Sequence, residues 1–341
     1  MDEGLALSTS GTPTKPLIVL ELDDLDTCPE SLLSTATRIR ESMTLVVGVL
    51  RRPPPASLGP VLAATTLTLT DLPISPLRPE IVAVENIAAA IATLRAAVMR
   101  SPRAALVCGH LLRQPTGRDT APALAAEAAA YSMLLAGPEF ARWLVERGPA
   151  KPAPATDHPL VRLRRSGDHL SIVLDHPQRR NALSMRLREE LLAAAQVAVA
   201  DPSIATVELS GNGPVFCAGG DLAEFGSATD VVAAYLVRLD RAPWRALDRL
   251  ADRLVVRSHG SCIGAGAEIA AFAGTVTATP DTYFCFPEVR MGLVPGAGGT
   301  VSVPRRIGRW RAAWLMLTEQ RLDADAALDW GLIDQVTGAR R

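Results

Sequence analysis

Apolar positions along the chain switch repeatedly between a period of two and a period near four, the signature of strands alternating with helices. Residues 17–22 read as a strand. Leu32, Leu33, Ala36 and Ile39 share one helix face, and residues 44–50 read as a second strand, so the chain opens β-α-β. Pro53, Pro54 and Pro55 interrupt the pattern, because proline lacks the amide that a strand ladder needs. From there the pattern turns helical over residues 85–99, 104–112 and 121–147, which are rich in alanine and leucine.

The run Gly148, Pro149, Ala150, Lys151, Pro152, Ala153, Pro154 predicts a linker over 148–157, since proline pre-sets an extended backbone. It divides an N-terminal domain, 1–147, from a second domain, 158–341. Beyond it Leu170, Ile172 and Leu174 alternate as in a strand, and Ser184 can cap a helix whose apolar face is Leu187, Leu191, Ala194 and Ala198. Strand 204–209, helices 230–241 and 244–252, and strand 254–258 follow, giving an α/β order.

Composition narrows the class. The 341 residues are enough for two domains. Their 35 basic and 36 acidic side chains leave no net field, which speaks against nucleic acid as the main partner. The longest apolar runs are far shorter than the ~20 residues of a membrane-spanning helix. Residues 1–16 carry acids and no basic-then-apolar succession, so no secretory signal is read and a cytoplasmic location is expected. Five cysteines without a Cys-x-x-Cys spacing fit buried reduced thiols, and the scattered histidines suggest no metal site.

Chemistry concentrates in three small-residue runs of the second domain. Residues 211–222 follow a predicted strand and include Ala218, Gly219, Gly220 and Asp221, where a ligand could approach main-chain amides closely. Residues 260–268 lead into an apolar helix whose first amides are unsatisfied, one half of an oxyanion hole. Glu268 stands in that apolar stretch, where a carboxylate costs several kcal/mol unless paired or useful. Glu288 follows the hydrophobic run Tyr283, Phe284, Cys285, Phe286 as a second acid. The third run, 292–300, reads as a rigid loop that shapes the site without touching the reacting atoms, and it lacks a P-loop lysine.

In order and spacing these residues resemble the enoyl-CoA hydratase/isomerase (crotonase) superfamily over most of 158–337. His176, Pro177, Asn181, Ala182 and Leu183 match its early Pro-x-x-x-Asn-Ala-Leu segment. Residues 216–222 and 264–268 match its two oxyanion stretches, and 287–289 with 292–300 its Pro-Glu and Pro-Gly-x-Gly-Gly signatures. The resemblance implies a crotonase-like spiral of ββα repeats, with an additional N-terminal α/β-to-helical domain. It implies a thioester oxygen held by the backbone amides of Ala218 and Ala265, and Glu268 and Glu288 as acid and base. Coenzyme A, as part of the substrate and not as a separate cofactor, would lie against Ala218, Gly219, Gly220 and Asp221, with Arg180, Arg179, Arg305 and Arg306 as candidates for its phosphates. Both acids being present points to a lyase, an enoyl-CoA hydratase of fatty acid metabolism. An enoyl-CoA isomerase or other acyl-CoA lyase, and a non-catalytic acyl-CoA-binding or scaffold partner of a hydratase, stand as alternatives. Family assembly implies a homo-oligomer, trimer or hexamer, or a hetero-complex.

The resemblance also implies C-terminal helices that do not follow Val336. Residues 87–147 look faintly like those helices, and 58–71 echo 268–281 with Leu58 where the first acid stands. Residues 16–147 are accordingly read as a degenerate, shortened crotonase-like copy whose helices pack over the intact one.

Overall fold

The computed structural model describes residues 4–73, 78–114, 119–151 and 156–338. Residues 1–3 of the stretch read for a signal, 152–155 of the expected linker and 339–341 at the end of the expected second domain lie outside the described residues. No helix among the described residues is long and apolar enough to cross a membrane.

The N-terminal half begins with β1 (Leu17–Glu21), α1 (Pro29–Glu41), β2 (Leu45–Leu50), α2 (Gly59–Ala64), β3 (Leu67–Thr70) and β4 (Ile81–Ala83). These strands form a parallel sheet in the order β1-β2-β3-β4. Every residue of β2 is buried, as a central strand covered on both faces requires. Its alternation sorts the two faces: Val46 and Leu50 join Leu32 and Ile39 of α1, while Leu45 and Val47 enter a larger core that runs through both halves of the chain.

The next four helices are α3 (Ile87–Arg100), α4 (Pro102–Leu112), α5 (Thr120–Leu135) and α6 (Pro138–Arg147). Residues 121–147, expected as one helical stretch, are two helices, because Pro138 cannot donate into a preceding turn and restarts the helix at its first position. These helices do not stand apart. The α4 helix packs on residues 299–318 and α5 on residues 231–240, and Leu94, Leu106 and Leu112 share one core with Val301, Ile307 and Leu315.

The C-terminal half continues with β5 (Val161–Ser166), β6 (His169–Leu174), α7 (Met185–Ala200), β7 (Thr206–Gly211), α8 (Val231–Asp240), α9 (Trp244–Arg249), β8 (Leu254–Ser258), β9 (Ser261–Ile263), α10 (Ala265–Ala270), β10 (Thr275–Ala278) and β11 (Tyr283–Cys285). It closes with α11 (Gly299–Ile307), α12 (Arg309–Thr318), β12 (Leu322–Asp323), α13 (Ala324–Trp330) and β13 (Gln335–Val336). Ser184 caps α7 through Leu187 N at 3.2 Å. One sheet runs β13-β10-β8-β7-β6-β5 and a smaller one β12-β11-β9. After β8 the chain adds β9 to the small sheet, runs α10, returns to the large sheet as β10 and adds β11 to the small one. That is the ββα spiral. In the N-terminal half β1, β2 and β3 follow the same parallel order as β7, β8 and β10, with α2 where α10 stands. Leu58 falls just before α2 and not within it, and α2 buries Val61, Leu62 and Ala64, with no carboxylate in the helix.

The joint between the halves is tight at Gly292, which has φ of +78° and where a Cβ would lie 2.5 Å from Phe140 N and 2.6 Å from the Glu139 carbonyl carbon. Gly292→Ala is expected to destabilise the protein by about 1–3 kcal/mol, through the left-handed backbone and the clash with α6. Thermal unfolding checks this, and an unchanged midpoint would show that α6 can move away freely.

Candidate active site

Asn181 organises the loops that precede the site. Fully buried, it donates from Nδ2 to the carbonyls of Asn212, Val215 and Phe216 at 2.9–3.1 Å, while Oδ1 accepts His176 N at 2.8 Å. The segment after β7 is thereby pinned, and the backbone at Cys217 then pairs in parallel with that at Cys262, both free thiols, with Ile263 N donating to Cys217 O at 3.1 Å. Residues 216–221 consequently lie beside 260–265.

Beside that joint is an open cavity of about 440 Å³ whose wall includes Gly220, Asp221, Ala265, Glu268, Glu288, Gly296, Ala297 and Tyr131. The structure thus brings Glu268 and Glu288, twenty residues apart, onto one cavity. Gly264 explains how closely the second acid approaches α10: its φ is +48°, and a Cβ there would sit 2.2 Å from Glu288 Oε1. Only glycine fits beneath that carboxyl. The Ala265 amide, first of α10, and the Gly220 amide make no hydrogen bond among the described residues. Both are available to a ligand oxygen.

Burial dominates the acid–base chemistry. Glu268 Oε2 accepts Ala297 N at 2.7 Å and Gly299 N at 2.8 Å, which favours its ionised form, yet desolvation and then the charges of Glu288 and Glu127 hold its pKa well above the carboxylate range. Desolvation, with smaller repulsion from Glu127 and Glu319, raises Glu288 to about 8. Its Oε2 is buried without a hydrogen-bond partner among the described residues.

A third acid, Glu127 of α5, belongs to the same cluster. Oε1 accepts Gly298 N at 2.7 Å, and Oε2 accepts Thr300 N at 2.8 Å and Thr300 Oγ1 at 2.7 Å. Burial raises it to about 7, against the opposing pull of those bonds and of Arg238. The four consecutive amides of 297–300 therefore go alternately to Glu268 and Glu127. Glu127 is absent from the candidates named from sequence. The signal for it was the one used for Glu268, a lone carboxylate in an apolar helical run.

Residues 166–340 match the family model described as enoyl-CoA hydratase/isomerase, half of the chain. The chain belongs to the enoyl-CoA hydratase/isomerase family. It is 36% identical over 174 residues to an enoyl-CoA isomerase/hydratase of Mycosarcoma maydis (48% of this chain, 64% of the relative). It is 33% identical over 167 residues to the 2,3-dehydroadipyl-CoA hydratase of Escherichia coli (49% of this chain, 65% of the relative). The match spans less than two thirds of each of these relatives' own lengths. Among solved structures, an inferred enoyl-CoA hydratase/isomerase from Mycobacterium abscessus superposes with a TM-score of 0.50 at 33% identity, covering 52% of this chain and 70% of that one.

Against the expectation from the sequence, one donor moves. The Ala218 amide donates to Arg180 O at 3.0 Å, so it has no hydrogen left for an oxyanion. Ala218 faces instead a second cavity of about 560 Å³, together with Arg147, Lys151, Arg179, Arg180, Gly220 and Asp221. The residue of this stretch that shares a cavity with Glu268 and Glu288 and keeps its amide free among the described residues is Gly220. Gly219 backs onto the Ile263 carbonyl and lines neither cavity. Arg179 is held by Asp221 at 2.5 Å on the rim of the second cavity. Arg305 and Arg306 are elsewhere, tied to Asp248 at 2.6 Å and Asp334 at 2.5 Å, and line neither cavity. The loop 292–300 shapes the site as expected, with Gly296 and Ala297 in its wall and the Ala297 and Gly299 amides on Glu268.

Two predictions follow from the carboxyl cluster. Glu127→Ala strands the amides of Gly298 and Thr300 and should cost about 2–4 kcal/mol, measured by denaturant unfolding. In the folded protein Glu127 and Glu288 keep their protons up to about 7 and about 8, while the unfolded chain releases them near 4.5. Stability is therefore highest at the acidic end of the interval from about pH 5 to pH 8 and falls as pH rises through it. Glu288→Gln, which cannot ionise, should flatten that fall in unfolding midpoint, and an equally steep fall in the variant would refute this origin.

Proposed function

We propose that this protein adds water across the double bond of a 2-enoyl-CoA thioester. The observation that carries the proposal is the convergence of two free main-chain amides, Gly220 and Ala265, and two buried carboxyls, Glu268 and Glu288, on one cavity. The thioester oxygen would accept both amides. As water attacks C3, negative charge moves onto that oxygen, and fixed donors stabilise it without reorganising, at about 3–4 kcal/mol per donor.

Hydration then requires one carboxylate to take a proton from water and one carboxylic acid to give a proton to C2. Desolvation raises both carboxyls and the Glu288 charge raises Glu268 further, so the cavity retains a proton to give to C2, and the carboxyl that ionises takes one from water. The two amides on Glu268 Oε2 keep that side chain in place throughout. Coenzyme A would continue from the catalytic cavity past Gly220 and Asp221, which both cavities share, to the basic wall of Arg147, Lys151, Arg179 and Arg180.

The test is product analysis with crotonyl-CoA and longer 2-enoyl-CoAs. The 3-hydroxyacyl-CoA is expected, and Glu268→Gln and Glu288→Gln should each lower kcat/KM by a factor on the order of 10²–10⁴. Formation of the 3-enoyl isomer alone would replace hydration by double-bond migration. Wild-type hydration in both variants would remove the acid–base mechanism, and binding without turnover would leave a non-catalytic acyl-CoA-binding protein.

A further inference from the structure

Two arginines of the catalytic cavity leave guanidinium donors unused among the described residues, although Arg238 also hydrogen-bonds the Tyr131 side chain. Arg188 of α7 and Arg238 of α8 both line that cavity, and the Nε atom of each is buried without a hydrogen-bond acceptor among the described residues. Neither guanidinium joins a salt bridge among those residues. The nearby carboxylates are all committed elsewhere. Glu189 pairs with Arg241 at 3.1 Å, Glu190 with Arg186 at 2.8 Å and Asp221 with Arg179. Glu224 accepts Met185 N at 2.8 Å, Asp230 caps α8 through Val232 N and Ala233 N, and Glu127 holds residues 298 and 300.

Arg238 is also oriented. Its guanidinium lies 3.8 Å from the centre of the Tyr131 ring, a stacking arrangement that suits arginine and fixes the plane of its donors. Glu189 and Glu224 offset part of the Arg188 charge and Glu127 part of that of Arg238, but none forms a salt bridge with either among the described residues, and the two guanidiniums repel each other, so a ligand that brings an anion to them is favoured. The rest of the wall offers Leu135, Leu183, Phe225 and Trp244, which suit methylene groups.

We propose that Arg188 and Arg238 bind a carboxylate at the far end of the acyl chain, so that the preferred substrates are enoyl-CoA thioesters of dicarboxylic acids. This rests on the reading that the cavity holds the acyl part of a CoA thioester. The phosphates of coenzyme A are a different source of the same oxyanion chemistry, and they have the separate basic wall of the second cavity.

The experiment compares 2-enoyl-CoAs of equal chain length that end in methyl or in carboxylate, together with binding of the corresponding saturated acyl-CoAs and of free coenzyme A. Wild type should favour the carboxylate-ended compound at least about tenfold in kcat/KM and in affinity, and Arg188→Gln and Arg238→Gln should each remove most of that preference. Arg188→Lys and Arg238→Lys, which keep the charge but not the planar fork, should retain part of it. Equal or better handling of the methyl-ended compound by wild type overturns the proposal whether or not any variant folds. So does a loss of affinity for free coenzyme A in the glutamine variants equal to the loss for the carboxylate-ended thioester, which would assign the arginines to the phosphates. The binding arm separates this proposal from the hydration reading: a carboxylate preference in binding without turnover sustains the arginine site while removing hydration.

Discussion

The structure depends on a short segment, 297–300, whose four successive amides are divided between two carboxylates from distant parts of the chain. Amides 297 and 299 go to Glu268 and amides 298 and 300 to Glu127. Two buried acids side by side repel each other, and the amides that open α11 offset this because they present unsatisfied donors and the positive end of the peptide dipoles. The loop helps to place both acids, and both acids help to hold the loop. The position of a proposed catalytic group is thus tied to the docking of the N-terminal half.

The same arrangement makes the acids useful. Exposed glutamates would be ionised at neutral pH and unable to donate. Burial raises all three here, while the hydrogen bonds to Glu127 and Glu268 work in the opposite direction and keep these two side chains ordered. Glu288 is the exception, with one oxygen lacking a hydrogen-bond partner among the described residues, and it is the least restrained of the three. Its restraint comes from below, where the absent side chain of Gly264 leaves room for it. A carboxyl with an unused oxygen beside two unused amides is an incomplete set of interactions that a substrate would complete.

Much of this was legible in the residues, and the failures have local causes. The helix face of Leu32, Ala36 and Ile39, the cap at Ser184 and the pairing of two acids with two glycine-rich turns all follow from period and residue type. The assignment of the first amide to Ala218 failed because spacing does not tell which way a peptide N–H points. Arg180 and Asn181 both adopt positive φ, and the Arg180 carbonyl takes the Ala218 hydrogen, which leaves the amide two residues later. Glu127 carried the same local mark as Glu268, a lone carboxylate in an apolar helical run, but the amides it holds lie 171 and 173 positions away, so no neighbouring motif drew it into the site. The break between α5 and α6 was readable at Gly137 and Pro138, and alanine-rich flanks masked it.

The N-terminal half also reaches the other end of the cavity. Glu127 and Tyr131 are one turn apart on α5 and so project from the same face. Glu127 fixes the loop that holds Glu268, while Tyr131 packs directly on Gly296 of that loop and carries Arg238 across its ring. A shift of α5 along its axis would move the loop and the Arg238 plane together, because a closely packed interface transmits a displacement instead of absorbing it. The spacing between the reacting carbons and the far end of a bound acyl chain is thereby set by one helix contributed from outside the matched family region. Under the proposed function, that would give the N-terminal half a physical role in selecting the substrate even though it supplies none of the proposed acid–base groups.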